Sequence, residues 1–126
     1  MTQKEKNIII ARCRKAKACE PEFKKLLAAK TDEELLAVLA RNIAWCCNRD
    51  ILSASTLKVL SRDKHSDVRC HVALNPKTSA ATLKVLSRDK HPDVRYHVAR
   101  NPKTPASTLK ALSKDEDSYV RNAAHR

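Results

Sequence analysis

The chain contains no glycine, and that absence narrows its architecture more than any residue present. Tight β-hairpin turns rely on residues that accept positive φ, glycine above all, so a hairpin-rich sheet is not expected. Aromatic residues are nearly missing too: one Trp, two Tyr and one Phe. A core must then be built from Leu, Val, Ile and Ala, which suits thin layers of short helices better than a bulky centre. Only three consecutive isoleucines interrupt the charged start MTQKEKNIIIARCRK, far short of a signal-peptide core or of the roughly 18 apolar residues of a membrane span. Five cysteines, an odd number, argue against a disulfide framework and for a reducing, cytoplasmic setting. There is no glycine-rich phosphate loop, no nucleophile elbow and no H-E-x-x-H, so no enzyme is expected.

What the chain has is positive charge and repetition. Twenty-six Lys and Arg face 14 Asp and Glu, a net charge of +12. Residues 1–50 hold 11 basic and 7 acidic side chains (11 − 7 = +4), and residues 51–126 hold 15 and 7 (15 − 7 = +8). Such a balance attracts polyanions, whether acidic protein surfaces or nucleic acid. Residues 56–78 read TLKVLSRDKHSDVRCHVALNPKT, and residues 82–104 repeat them with three differences. A weaker third copy, TLKALSKDEDSYVRNAAHR, starts at Thr108, giving a period of 26 residues (82 − 56 and 108 − 82). A fixed period of this length is the mark of stacked supersecondary units.

Residues 1–52 read as a helical N-terminal cap and 53–126 as about three repeats, one domain overall. In the cap, helices are expected over residues 4–18 and from Glu22 to Ala29, with Pro21 opening the second. Thr31 and Glu34 form a capping-box pattern that opens one long helix, Asp32 to about Asn48. Leu35, Leu36, Leu39, Ile43 and Cys46 would share its buried face. Each repeat reads as two short helices. The first follows Ser53, Thr78 or Thr104 as N-cap and buries Leu57/Leu60, Leu83/Leu86 or Leu109/Leu112. The second starts near Ser66, Pro92 or Ser118 and buries Val68/Val72, Val94/Val98 or Val120 with Ala124. Asn75-Pro76 and Asn101-Pro102 stop it, because the residue before proline avoids helical geometry.

The run Val-Arg-x-x-Val-Ala-x-Asn-Pro-x-Thr, followed by Leu-x-x-Leu and Asp, resembles the leucine-rich repeat variant family. The likeness covers residues 53–126, with nearly complete copies at Val68–Thr78 and Val94–Pro105. It implies an all-α, right-handed α-solenoid that alternates α-helices with short 3₁₀ helices and has no sheet. The third copy departs from the pattern at Ala123 and His125 and lacks the closing Asn-Pro. Asp63 and Arg69, Asp89 and Arg95, and Asp115 and Arg121 stand six residues apart, which resembles the Asp/Arg ladder of HEAT-type repeats. There the arginine of one unit bonds the aspartate of its neighbour, a geometry that guanidinium and carboxylate satisfy bidentately.

Apart from the ladder, aligned cations remain: Lys58, Lys84 and Lys110; Arg62, Arg88 and Lys114; Lys77 and Lys103; Lys64 and Lys90. Stacking would turn each set into a stripe. Such stripes suit non-catalytic binding of an acidic protein surface, or alternatively the phosphates of duplex nucleic acid with little sequence preference. With only Tyr96 and Tyr119 in the repeats, base stacking on single strands is not expected. Relatives in the variant-repeat family imply a third reading, an N-terminal iron–sulfur site. Cys13, Cys19, Cys46 and Cys47 are the right number in the right region, but C-x5-C and an adjacent pair fit no metal-binding spacing, and adjacent helical cysteines point about 100° apart. No cofactor is therefore expected. His65 with His91, and His71 with His97, follow the repeat and read as packing and capping residues. The chain is expected to be a monomer with no membrane partner, although an uncapped last repeat would allow end-to-end self-association.

Overall fold

The computed structural model describes residues 1–16, 20–48 and 50–125. The described residues are all-α: ten helices and no strand. They divide into two compact units, Met1–Thr56 and Leu57–Arg126.

The first unit holds α1 (Gln3–Lys15), α2 (Glu20–Ala28), α3 (Asp32–Arg41), α4 (Ile43–Asn48) and the start of α5 (Ala54–Leu60). Each of α1, α2 and α3 packs on the next helix in sequence order. Thr2 and Glu5 form a full capping box at the start of α1, with the Thr2 hydroxyl accepting the Glu5 N–H and the Glu5 carboxylate accepting the Thr2 N–H. At Thr31 only half of the expected box is present. Its hydroxyl accepts the Glu34 N–H, but the Glu34 carboxylate accepts from the Lys30 N–H, one residue earlier.

The long helix expected from Asp32 to Asn48 is two helices. Asn42 divides them: its side-chain Nδ2 donates to the Val38 carbonyl at 2.9 Å and its backbone N–H turns to Leu39, while its own carbonyl accepts the Cys46 N–H. An asparagine offers the backbone such alternatives to continuing a helix, and hydrophobic periodicity does not register them. After α4 the chain turns through Asp50 at φ 58°, where Asp fills the left-handed position that glycine usually supplies. The Ile51 N–H then reaches back to the Cys46 carbonyl. Ile9, Cys13, Leu26, Leu35, Leu39, Ile43, Cys46, Ile51 and Leu52 are buried. At the polar edge, Asp32 takes the α-amino group of Met1 at 2.8 Å and Lys6 at 2.7 Å, which joins the start of α1 to the start of α3.

The second unit continues α5 and adds α6 (Ser66–Leu74), α7 (Ala80–Leu86), α8 (Pro92–Arg100), α9 (Ala106–Leu112) and α10 (Ser118–Ala124). The second helices stack directly, α8 packing against both α6 and α10, while α7 and α9 lie alongside them. Leu57, Leu60, Leu83, Leu86, Leu112, Val68, Val72, Val94, Val98, Val120 and Ala124 are buried between them, and Leu109 is half-buried. The resemblance implied 3₁₀ geometry for the shorter helices, but both helices of each pair are α. Three-residue bonding recurs at the exits of the first helices, as in Arg62 N–H to Val59 and Asp63 N–H to Leu60, repeated at Arg88, Asp89, Lys114 and Asp115.

Two expected N-caps are displaced by one residue. Ser79, not Thr78, caps α7 through its hydroxyl, and Pro105, not Thr104, precedes α9. Thr78 and Thr104 are buried instead, each donating its hydroxyl to a carbonyl of the preceding helix, Val72 or Val98, at 2.6 Å. Each adds a second donor to a carbonyl that already accepts the Asn75 or Asn101 N–H, in the place where the following proline supplies no N–H.

Candidate binding surface

The six residues spaced as a ladder form two cross-repeat rungs. Arg69 donates from Nε and Nη2 to the Asp89 carboxylate at 2.7 and 3.1 Å, and from Nη1 to the carbonyls of Asp63 and Lys64 at 2.9 and 3.1 Å. Arg95 does the same one repeat later, reaching Asp115 at 2.8 and 3.1 Å and the Asp89 carbonyl at 2.8 Å. The four side chains are about nine-tenths buried. A buried ion pair contributes direction more than net stability, because desolvation offsets much of the attraction. Here the fork fixes how one repeat sits on the next. Burial pushes the Asp89 and Asp115 carboxyls up, but the arginine forks and the N–H groups of His91 and Asp117 outweigh it, leaving both below their ordinary values.

The outer members of the ladder behave differently. Asp63 has no arginine at the rung spacing of 20 residues before it, since Ile43 occupies that place in the sequence, and its carboxylate accepts the His65 N–H at 2.9 Å. Arg121 donates from Nη1 to the carbonyls of Asp115 and Glu116, and no carboxylate meets its fork among the described residues.

A second set of cross-repeat bonds escaped the sequence reading. Asn101, buried at the end of α8, donates from Nδ2 to the carbonyls of Ala73 and Asn75 in the preceding repeat, at 2.7 and 3.1 Å, and accepts the Lys103 N–H. Asn-Pro reads in sequence as a stop signal only. The signal for the further role was its recurrence at the repeat period with a buried threonine three residues on.

With Asp89 and Asp115 engaged by arginine, the aligned cations face solvent. Lys58, Arg62, Lys64, Lys84, Arg88, Lys90, Lys103, Lys110 and Lys114 are exposed, and Lys77 is half-buried. None of the nine exposed cations meets a carboxylate among the described residues. Lys58, Lys84 and Lys110 occupy the same place on α5, α7 and α9, and Arg62, Arg88 and Lys114 follow in the exit turns. Ser61, Ser87 and Ser113 hold those turns by donating their hydroxyls to the carbonyls of Lys58, Lys84 and Lys110. Beside the first row runs an apolar one: Val59 and Val85 are 46% and 68% exposed, and Ala111 stands in the same register. At the Lys64 and Lys90 position the third repeat has Glu116, which is exposed.

The opposite helices carry a smaller patch. Tyr96, Arg100, Tyr119, Asn122 and Ala123 line a shallow depression between α8 and α10, with Arg100 donating to the Tyr96 hydroxyl at 3.0 Å and lying over its ring. His65 and His91 occupy the N-cap positions of α6 and α8, and the His91 ring accepts the Asp93 N–H. Burial pushes His97 below its ordinary value, and its Nδ1 has no hydrogen-bond partner.

Cys13 and Cys46 are buried and Cys47 is half-buried, all as free thiols; Cys19 lies outside the described residues. Burial pushes Cys46 up to about 12, with Cys13 and Cys47 adding to the shift, and burial raises Cys13 as well. Thiols held protonated in this way make poor nucleophiles. No group of three His, Cys, Asp or Glu side chains among the described residues is placed to hold a metal ion. No helix among them is long and apolar enough to cross a membrane. Compared with protein-family models, with curated proteins and with solved structures, the chain matches none of them.

Proposed function

We propose that the chain is a non-catalytic binding module whose second unit, a right-handed solenoid of variant leucine-rich repeats, holds an acidic protein surface against α5, α7 and α9. The observation that carries this reading is the pairing of two rows on one set of helices. Unpartnered lysines at 58, 84 and 110 run beside the exposed Val59 and Val85. Cations alone would serve any polyanion. An apolar row within them adds contact area that a phosphate backbone does not use, whereas protein interfaces combine an apolar centre with a polar rim. The free thiols support a reducing, cytoplasmic setting, and the module is taken to work as a monomer.

The test is fluorescence anisotropy with two labelled probes, a helical peptide with glutamates flanking a leucine face and a short duplex DNA. Reversing Lys58, Lys84 and Lys110 to Glu is expected to abolish peptide binding. Val85→Ser should weaken the peptide by about threefold to tenfold, the worth of an apolar side chain at an interface, and leave the DNA unaffected. Tight, salt-sensitive DNA binding with no peptide binding would overturn the reading in favour of nucleic acid.

A further inference from the structure

We propose that the groove between α7 and α9 is a seat for a phosphoryl group carried on a side chain of the acidic partner. This rests on the reading above and names one chemical group within it. Lys84 and Arg88 line the groove from the α7 side, Ser107 and Ala111 line it from α9, and Asp115 closes it. Lys84 stands near the end of α7 and Arg88 in the turn that leaves it, and both line the same groove, where their heads can meet one anion. Neither meets a carboxylate among the described residues, and the Ser107 hydroxyl is likewise without a protein partner.

The carboxylate in the wall does not spoil the site. Both Asp115 oxygens accept from the Arg95 fork, and one also accepts the Asp117 N–H at 2.9 Å, so its charge is already compensated. A partner carboxylate would bring one charge and two oxygens to this groove. A phosphoryl group brings between about 1.5 and 2 negative charges and three acceptor oxygens, which matches two cations and a hydroxyl. The repeat before supplies an internal control. Lys58 and Arg62 hold the equivalent cation positions there, but Ala81 stands where Ser107 would be. Only the α7–α9 groove has the third donor.

The experiment measures binding of the full chain to a glutamate-rich peptide with a central phosphoserine and to its unphosphorylated twin. The phosphorylated form should bind about tenfold tighter, the scale of one or two charge-assisted hydrogen bonds. Arg88→Gln and Ser107→Ala should each erase most of that difference. Arg62→Gln removes the same charge one repeat earlier and should leave the difference intact. All three side chains are exposed, and circular dichroism checks that each variant folds. Equal binding of the two peptides would overturn the seat while leaving the acidic-partner reading standing; binding of neither would overturn both. A difference that survives Arg88→Gln and Ser107→Ala would place the phosphoryl elsewhere and also overturn the proposal.

Discussion

Arg95 spreads its bonds over three nitrogens, a span that the single ammonium of a lysine could not cover in its place. Its fork meets Asp115 twice while Nη1 holds the Asp89 carbonyl, so three donors of fixed geometry work at once across two repeats. Arg95→Lys is expected to lower stability by about 3 kcal/mol, between the loss of a charged hydrogen bond and the stranding of a fully buried charge. Thermal or urea unfolding checks this, and an unchanged midpoint would show that the rung is not a structural joint. The same rung sets a dependence on pH. Asp89 and Asp115 are held below their ordinary values in the folded chain and return near 3.9 when it unfolds. The unfolded state therefore binds more protons between those two values. The stabilisation is complete above the unfolded value and is lost as pH falls through the folded one. Asp115→Asn should flatten that acid limb of the melting curve while lowering stability at neutral pH, where the rung is intact.

At the scale of the element, the repeats were legible and the first unit only in part. Apolar positions at three- and four-residue spacing, with Pro92 and Ser66 at helix starts, place the helices of the second unit within a residue or two. Three of the misses involve small polar side chains bonding to backbone. Asn42 divides a run whose leucines read as one helix. Thr78 and Ser79 are both credible caps, and the choice between them follows from which one the preceding carbonyl engages, a fact of packing that sequence does not contain. Asn101 is the clearest case, since a stop signal at the end of α8 is also a bridge to the preceding repeat. Asn101→Ala would leave two carbonyls and the Lys103 N–H without this partner in a buried turn. It is expected to cost about 2 kcal/mol, at the upper end for an unsatisfied buried group, and to speed amide exchange at the ends of α6 and α8. Exchange rates matching the parent chain would show that the bridge carries no weight.

Over the whole molecule, charge is sorted by role. Asp89 and Asp115 in the exit turns face inward and meet arginine between repeats, while Lys58, Lys84 and Lys110 point outward with no carboxylate beside them. Sequence alone displayed the cation rows, because they share the repeat period. It did not display the exposed valines as part of the same surface, since a valine on a short helix reads as core until the buried face is known; Val59 and Val85 lie one residue from Lys58 and Lys84 yet stand free of the core. The measurement that tests the account most directly is amide chemical-shift mapping on the full chain, titrated with the acidic leucine-faced peptide. Shifts concentrated on α5, α7 and α9, around Lys58, Val59, Lys84, Val85 and Lys110, are the predicted result. Shifts confined to Tyr96, Arg100 and Tyr119, shifts confined to the first unit, or none at all would contradict it.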